Sequence, residues 1–165
     1  MPNVTRVWWL LCWAIVGCGA DAASDAGTSV CSRGETWDGG NTSSARMNPG
    51  AACIACHARV DAAVFTAAGT VYPTLHEPDL CFGVRVDASD PVAVEVTDAQ
   101  GRTASMATNS GGNFYHRLAL TPPLRVAVRR GGAVREMRGA APHGDCNACH
   151  SERGREGAPG RVRAP

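Results

Sequence analysis

Two pentapeptides carry the chemistry of this chain: Cys53-Ile54-Ala55-Cys56-His57 and Cys146-Asn147-Ala148-Cys149-His150. In each, two thiols three positions apart fall on one side of a helical turn. That spacing lets them add across the two vinyl groups on one edge of a haem, and the histidine that follows reaches the iron from below as its proximal ligand. Cys-x-x-Cys-His is the attachment pattern for c-type haem, and finding it twice in 165 residues weighs against chance. The expectation is two covalent haems on Cys53, Cys56, Cys146 and Cys149, with iron bound by His57 and His150. Three other readings of the same cysteines compete. Paired Cys-x-x-Cys elements build tetrahedral zinc sites, but the gap between the pairs is long for a zinc ribbon and the two histidines would be a repeated coincidence. Local disulfides, or a thioredoxin-like redox motif, are the next; the latter belongs at a helix start in an α/β fold, and no such pattern is present. Unrelated structural cysteines are the last.

The sixth iron ligand is open between several residues. His76, in the loop-like Leu75-His76-Glu77-Pro78-Asp79, is the first choice, because a Cys31–Cys81 bond would pin that loop near the segment leading to the first motif. His143, three residues before Cys146, is better placed to reach the other haem than its own. Met47 and Met137 precede the two motifs by similar intervals. Met106 reads as core packing and His116 as a sheet-edge residue. Two histidines on one iron give a lower potential than a histidine and a methionine.

Eight cysteines are present. Arg6 followed by the apolar run Val7–Val16 has the form of an export signal, too short to span a bilayer as a helix. It ends in Ile15-Val16-Gly17-Cys18, which resembles a bacterial lipobox, so 1–17 is expected to be removed and Cys18 to carry lipid. The competing reading is an ordinary signal cut near Ala20 to Ala23. Cys12 falls within the signal. Cys31 and Cys81 remain, and export to an oxidising compartment allows them to pair, which closes the count without a stray thiol. Gly19 after the cysteine, in place of an aspartate, favours the outer membrane over inner-membrane retention. Residues 18–30, made almost entirely of Ala, Asp, Ser and Gly, read as a flexible tether.

The net charge of +1 excludes binding to nucleic acid by bulk electrostatics. From 31 to 63 turn signals dominate (Gly39-Gly40, Pro49-Gly50), and alanines around Cys53 permit a short helix. Between 64 and 138 the pattern changes to period two: Val84 and Val86, then Val92, Val94 and Val96, each alternate with polar or small residues. Asp98-Ala99-Gln100-Gly101 and Asn109-Ser110-Gly111-Gly112-Asn113 are turns, Pro122-Pro123 separates further strands, and Gly131-Gly132 turns the chain towards Val134. Turns every ten residues or so predict a mainly β fold, a small antiparallel sandwich flanked by loop-rich segments with short helical turns at the two motifs. The second haem segment is 139–150. Residues 151–165, with one β-branched residue and no aromatic, are expected to be disordered.

The stretch Val92–Gly101 followed by Thr108–Phe114 resembles the carboxypeptidase regulatory-like family, whose transthyretin-like or Ig-like β-sandwiches are scaffolds; the likeness implies architecture, not chemistry. With the two motifs on either side, the span from Cys31 to His150 also resembles small bacterial dihaem cytochromes in which haem motifs flank an Ig-like module. The resemblance implies an electron-transfer lipoprotein of the cell envelope, periplasmic or on the outer membrane, serving redox partner proteins and held to the membrane by its lipid. It is read as a carrier and not an enzyme, since no Cys/His or Ser/His/Asp constellation appears. The alternatives are a haem enzyme or sensor with an open iron site, for which His116 or Arg117 is the distal group, and a structural or zinc-binding adhesion module, with which self-assembly is compatible.

Overall fold

The computed structural model describes residues 30–165. The export signal, Cys12, the lipidation site Cys18 and the tether up to residue 29 lie outside the described residues. No helix among the described residues is long and apolar enough to cross a membrane.

The fold is mainly β. In chain order the elements are helix α1 (Cys53–Arg59), strands β1 (Ala67–Tyr72), β2 (Val92–Thr97), β3 (Thr103–Ala107), β4 (Asn113–His116), β5 (Arg125–Arg130) and β6 (Ala133–Glu136), helix α2 (Cys146–Cys149) and strand β7 (Val162–Arg163). One sheet has the order β4-β1-β7 and the other β3-β2-β5-β6. In the second sheet the valine alternation acts as the sequence predicts: Val92, Val94 and Val96 are fully buried while the residues between them are half-exposed. Their apolar face meets Ala67, Val71 and Phe114 of the first sheet, with Met106, Leu124 and Val128, in one core.

The turns follow their side-chain chemistry. Asp98 accepts hydrogen bonds from the main-chain N–H of Gln100 and Arg102, closing the β2–β3 hairpin. Asn109 does the same for Gly111 and Asn113 before β4. Val84 and Val86 are not a strand. Val84 is buried in the core and donates its N–H to Val71, but the segment forms no ladder of its own.

Two features of the first sheet went unseen in the sequence. β1 is buried along its whole length, although Ala67-Ala68-Gly69-Thr70 has no apolar periodicity. The chain beyond His150, expected to be disordered, is ordered instead. Val162 and Arg163 pair in parallel with Val71 and Tyr72 at the open side of β1, and Ala164 donates to the Tyr72 carbonyl. Composition is a poor guide here because the order comes from main-chain pairing and from one buried arginine, not from a run of apolar side chains.

A Cys31–Cys81 disulfide joins the start of the described chain to the loop after β1. It packs on Tyr72 and lies beside a bridge between Thr36 and Cys81. On the chain-entropy model a closed loop of this length contributes about 4 kcal/mol.

Candidate metal and cofactor centre

The two Cys-x-x-Cys-His segments, far apart in sequence, come together on β1. α1 and α2 touch each other and both pack on that strand. Main-chain geometry accounts for α2: Gly144 accepts a hydrogen bond from Ala68, and Asp145 forms a bridge with the same residue. A methyl group on Gly144 would run into the Thr66 carbonyl, so only glycine permits this approach.

Side chains from the second motif then clamp the first. Asp145 is buried, and its Oδ2 accepts from the Ala55 N–H at 2.9 Å, capping α1 from outside its own segment. Its Oδ1 is buried without a partner. Asn147, also buried, donates through Nδ2 to the Ala51 carbonyl at 2.9 Å and the Thr70 hydroxyl at 3.2 Å, while its Oδ1 accepts from the Thr70 N–H at 3.1 Å. Its Nδ2 also lies 4.0 Å from the Cys53 sulfur. One polar knot on β1 therefore fixes both motifs.

Each motif histidine is oriented in the same way. His57 places Nδ1 2.8 Å from the Ala63 carbonyl, and His150 places Nδ1 2.8 Å from the Gly160 carbonyl. The chain after α1 turns back through Asp61, at φ +48°, to bring Ala63 to the ring. After α2 it turns through Gly154, Glu156 and Gly157, all at positive φ, to bring back Gly160. A carbonyl can only accept, so Nδ1 carries a proton, and in the neutral ring this is the tautomer that leaves the Nε2 lone pair for a metal.

The four motif cysteines are free thiols. Burial pushes the Cys53 thiol up to about 12, and the charge of Asp145 adds to it. Cys146 is likewise pushed up to about 12 by burial, then by Asp145 and Cys53. Cys149 is raised by desolvation and by Glu156. A redox-active Cys-x-x-Cys needs its nucleophilic thiol lowered, so the thioredoxin-like reading finds no support. The four sulfurs do not converge on one point either. Among the described residues, the one group of three His, Cys, Asp or Glu whose ligand atoms lie within 4.8 Å of one another is His143, Cys149 and Glu156.

An apolar wall stands beside the first motif. A cleft of about 250 Å³ is lined by Ile54, His57, Ala58 and the loop 61–65. The Phe65 ring packs at a tilt against His57, 4.8 Å between centroids, and against Tyr115 at 5.0 Å, and the Arg117 guanidinium lies over Phe65 at 5.6 Å. Val64, which lines this cleft, is more than 60% exposed, as are Val60 and Leu118. A cleft walled by Ile54, Val64 and Phe65 beside an oriented imidazole fits an apolar group held there.

The other residues singled out in the sequence are dispersed over the fold. His76 is exposed and places Nδ1 2.7 Å from the Glu152 carbonyl. Its loop is held near the first motif through Leu80, which donates to Pro49, but the ring itself is tied to the segment just after the second motif. His143 lies beside Cys149 of its own motif, and the Gly144 and Asp145 that follow it dock on β1. Met47 is half-buried in a turn whose carbonyl is held by Asn113, away from the motif histidines in its bonding. Met106 is in the core.

Arg161 was not anticipated. Its guanidinium is fully buried, lies over Tyr72, and donates to the carbonyls of Glu77 at 2.8 Å and Gly50 at 3.2 Å and to the Asp79 carboxylate at 2.5 Å. It ties together the disulfide loop, the lead-in to the first motif and the segment that orients His150. Nothing in the arginine-rich tail distinguishes this arginine from its neighbours in sequence.

No protein-family model, curated protein or solved structure matches the chain.

Proposed function

We propose that the chain is an exported dihaem c-type cytochrome that carries electrons in the cell envelope. In this reading it is held to a membrane by lipid on Cys18 and is periplasmic or on the outer membrane. The carrying observation is the repeated arrangement in which each Cys-x-x-Cys-His ends in a histidine whose Nδ1 is tied to a returning carbonyl, with Nε2 left for a metal. Cys53 and Cys56 would attach one haem, Cys146 and Cys149 the other, and His57 and His150 would bind the irons. Bound haem supplies reversible one-electron chemistry.

The protein's own part is positioning. Asp145 and Asn147 hold the two attachment segments against each other on β1, which supports direct electron exchange between the haems. Ala63 and Gly160 fix the imidazole tautomers. The disulfide, the sandwich core and Arg161 brace that geometry, and a carrier requires one that changes little between oxidation states. Redox proteins of the envelope are the partners in this reading.

Periplasmically expressed protein is tested by its reduced pyridine haemochrome spectrum. Two c-type haems per chain are expected, and Cys149→Ala lowers the count by one. A colourless protein with stoichiometric zinc would overturn the proposal. That outcome is the second reading, favoured by one observation, the grouping of His143, Cys149 and Glu156.

A further inference from the structure

Resting on the dihaem reading, we propose that His76 is an axial iron ligand of the haem carried by Cys146 and Cys149. Of the five histidines, three tie Nδ1 to a main-chain carbonyl: His57 to Ala63, His150 to Gly160, and His76 to Glu152 at 2.7 Å. For the first two, the motif independently assigns a ligand role. His76 has the same preparation without a motif. Its Nδ1 is fixed as the donor, so in the neutral ring Nε2 has the lone pair, and the residue is exposed.

Among the described residues the ring's one hydrogen bond is that to Glu152, which ties its loop to the segment after the second motif. Among the same residues it joins no ion pair, no aromatic stack and no part of the core. Yet the loop that presents it is held at many points. The neighbouring Glu77 is buried and accepts from the Ser32 N–H at 2.5 Å and the Thr74 hydroxyl at 2.6 Å. The Leu75 carbonyl accepts from Arg161 N–H, the Glu77 carbonyl accepts from the Arg161 side chain, and Cys81 closes the loop through the disulfide. A loop fixed in this way holds an exposed imidazole in one orientation, which is the condition for a ligand.

The same contacts choose between the two haems. Glu152, which holds His76, is two residues beyond His150. Gly160, which holds His150, precedes Arg161, whose N–H is bonded to Leu75. Both rings are thus anchored on one short strap, the segment 152–161. His116 has no comparable anchor, and His143 is grouped with Cys149 and Glu156.

The test is His76→Asn in the haem-loaded, full-length protein. The asparagine amide donates to Glu152 from the place of Nδ1, keeping the loop, but has nothing in the place of Nε2. Haem is counted first. A wild-type count other than two refutes the dihaem reading itself, separately from this proposal. With two haems in both proteins, the variant is expected to gain one carbon-monoxide-binding, high-spin haem per chain over wild type, and added imidazole returns it to low spin. In a Cys149→Ala background lacking the second haem, His76→Asn is expected to change nothing. An unchanged carbon monoxide count and spin state in His76→Asn overturns the proposal, and so does a change that persists when the second haem is missing. Should the asparagine variant fail to accumulate, His76→Met decides the question. A ligand position gives a low-spin haem with a raised potential and a methionine–iron charge-transfer band, and a spectrum identical to wild type overturns the proposal.

Discussion

Replacing Asn147 by alanine tests whether the two motif segments are held as one unit. The side chain is 3% exposed and makes three hydrogen bonds, two to main-chain groups and one to the Thr70 hydroxyl. The hydroxyl keeps its other partners, the Gly50 N–H and Asn113, so its loss is small. The Thr70 N–H is orphaned, and the Ala51 carbonyl is left with only the weak Cys53 thiol contact at 3.4 Å, which haem attachment through that sulfur would remove. An unsatisfied buried polar group costs roughly 1–3 kcal/mol. Thr70 is fully buried and falls at the upper end, whereas Ala51 is half-exposed and can be met by water. Together they amount to about 3 kcal/mol. With a urea dependence of roughly 2 kcal/mol per molar, the unfolding midpoint moves down by about 1.5 M. The assay is equilibrium urea unfolding of the haem-loaded, disulfide-intact protein, followed by far-ultraviolet circular dichroism. Asn147→Asp keeps an acceptor for Thr70 but cannot donate to Ala51, and is expected to be no better than alanine. A loss below about 0.5 kcal/mol for Asn147→Ala, the range of an ordinary surface substitution, would refute the claim that this residue joins the segments.

Two further outcomes follow from other parts of the fold. At Asp98, desolvation raises the carboxyl, but hydrogen bonds from the Arg102 side chain and from the N–H groups of Thr121, Arg102 and Gln100 outweigh it and hold it down at about 2. Because the folded value lies below the unfolded one, the stabilisation is present above about pH 4 and is lost as the pH falls through about 2. Acid titration of the melting temperature should show that loss, and Asp98→Asn should flatten it. Gly144→Ala places a methyl against the Thr66 carbonyl and close to Ala67, where a strand cannot yield freely. Thermal unfolding is expected to show a cost of about 1–3 kcal/mol, typical of overpacking, and an unchanged melting temperature would contradict the docking described for α2.

The sandwich and the turns were legible because the signals are local. Alternation at Val92, Val94 and Val96 needs only a period of two, and Asp98 and Asn109 close turns with their own neighbours. The pairing of Cys31 with Cys81 was legible by count, since every other cysteine had a separate role. Val84 and Val86 carried the strand pattern without a ladder, because a strand needs a partner and the pattern does not supply one. Arg161 and the order of the tail were illegible for a related reason. A buried guanidinium is satisfied by carbonyls of Glu77 and Gly50, and main-chain acceptors leave no mark in a sequence.

β1 is the element in which these two outcomes meet. Its residues are small where larger ones would have announced a strand, and the structure gives the reason. A Cβ on Gly69 would sit 2.9 Å from the Phe114 ring and 3.0 Å from the Cys146 Cβ, so the second motif lies directly on the backbone there. Ala68 donates its N–H to Gly144, and Thr70 donates its N–H to Asn147 and accepts from it through the hydroxyl. Bulkier, more strand-like side chains at these positions would hold α1 and α2 away from the strand and from each other. The apolar period is therefore missing from β1 because the strand must accept two motifs at close range. The least patterned strand of the sandwich is the one on which the candidate centre is assembled, and its run of small residues is the sequence signal that marks it.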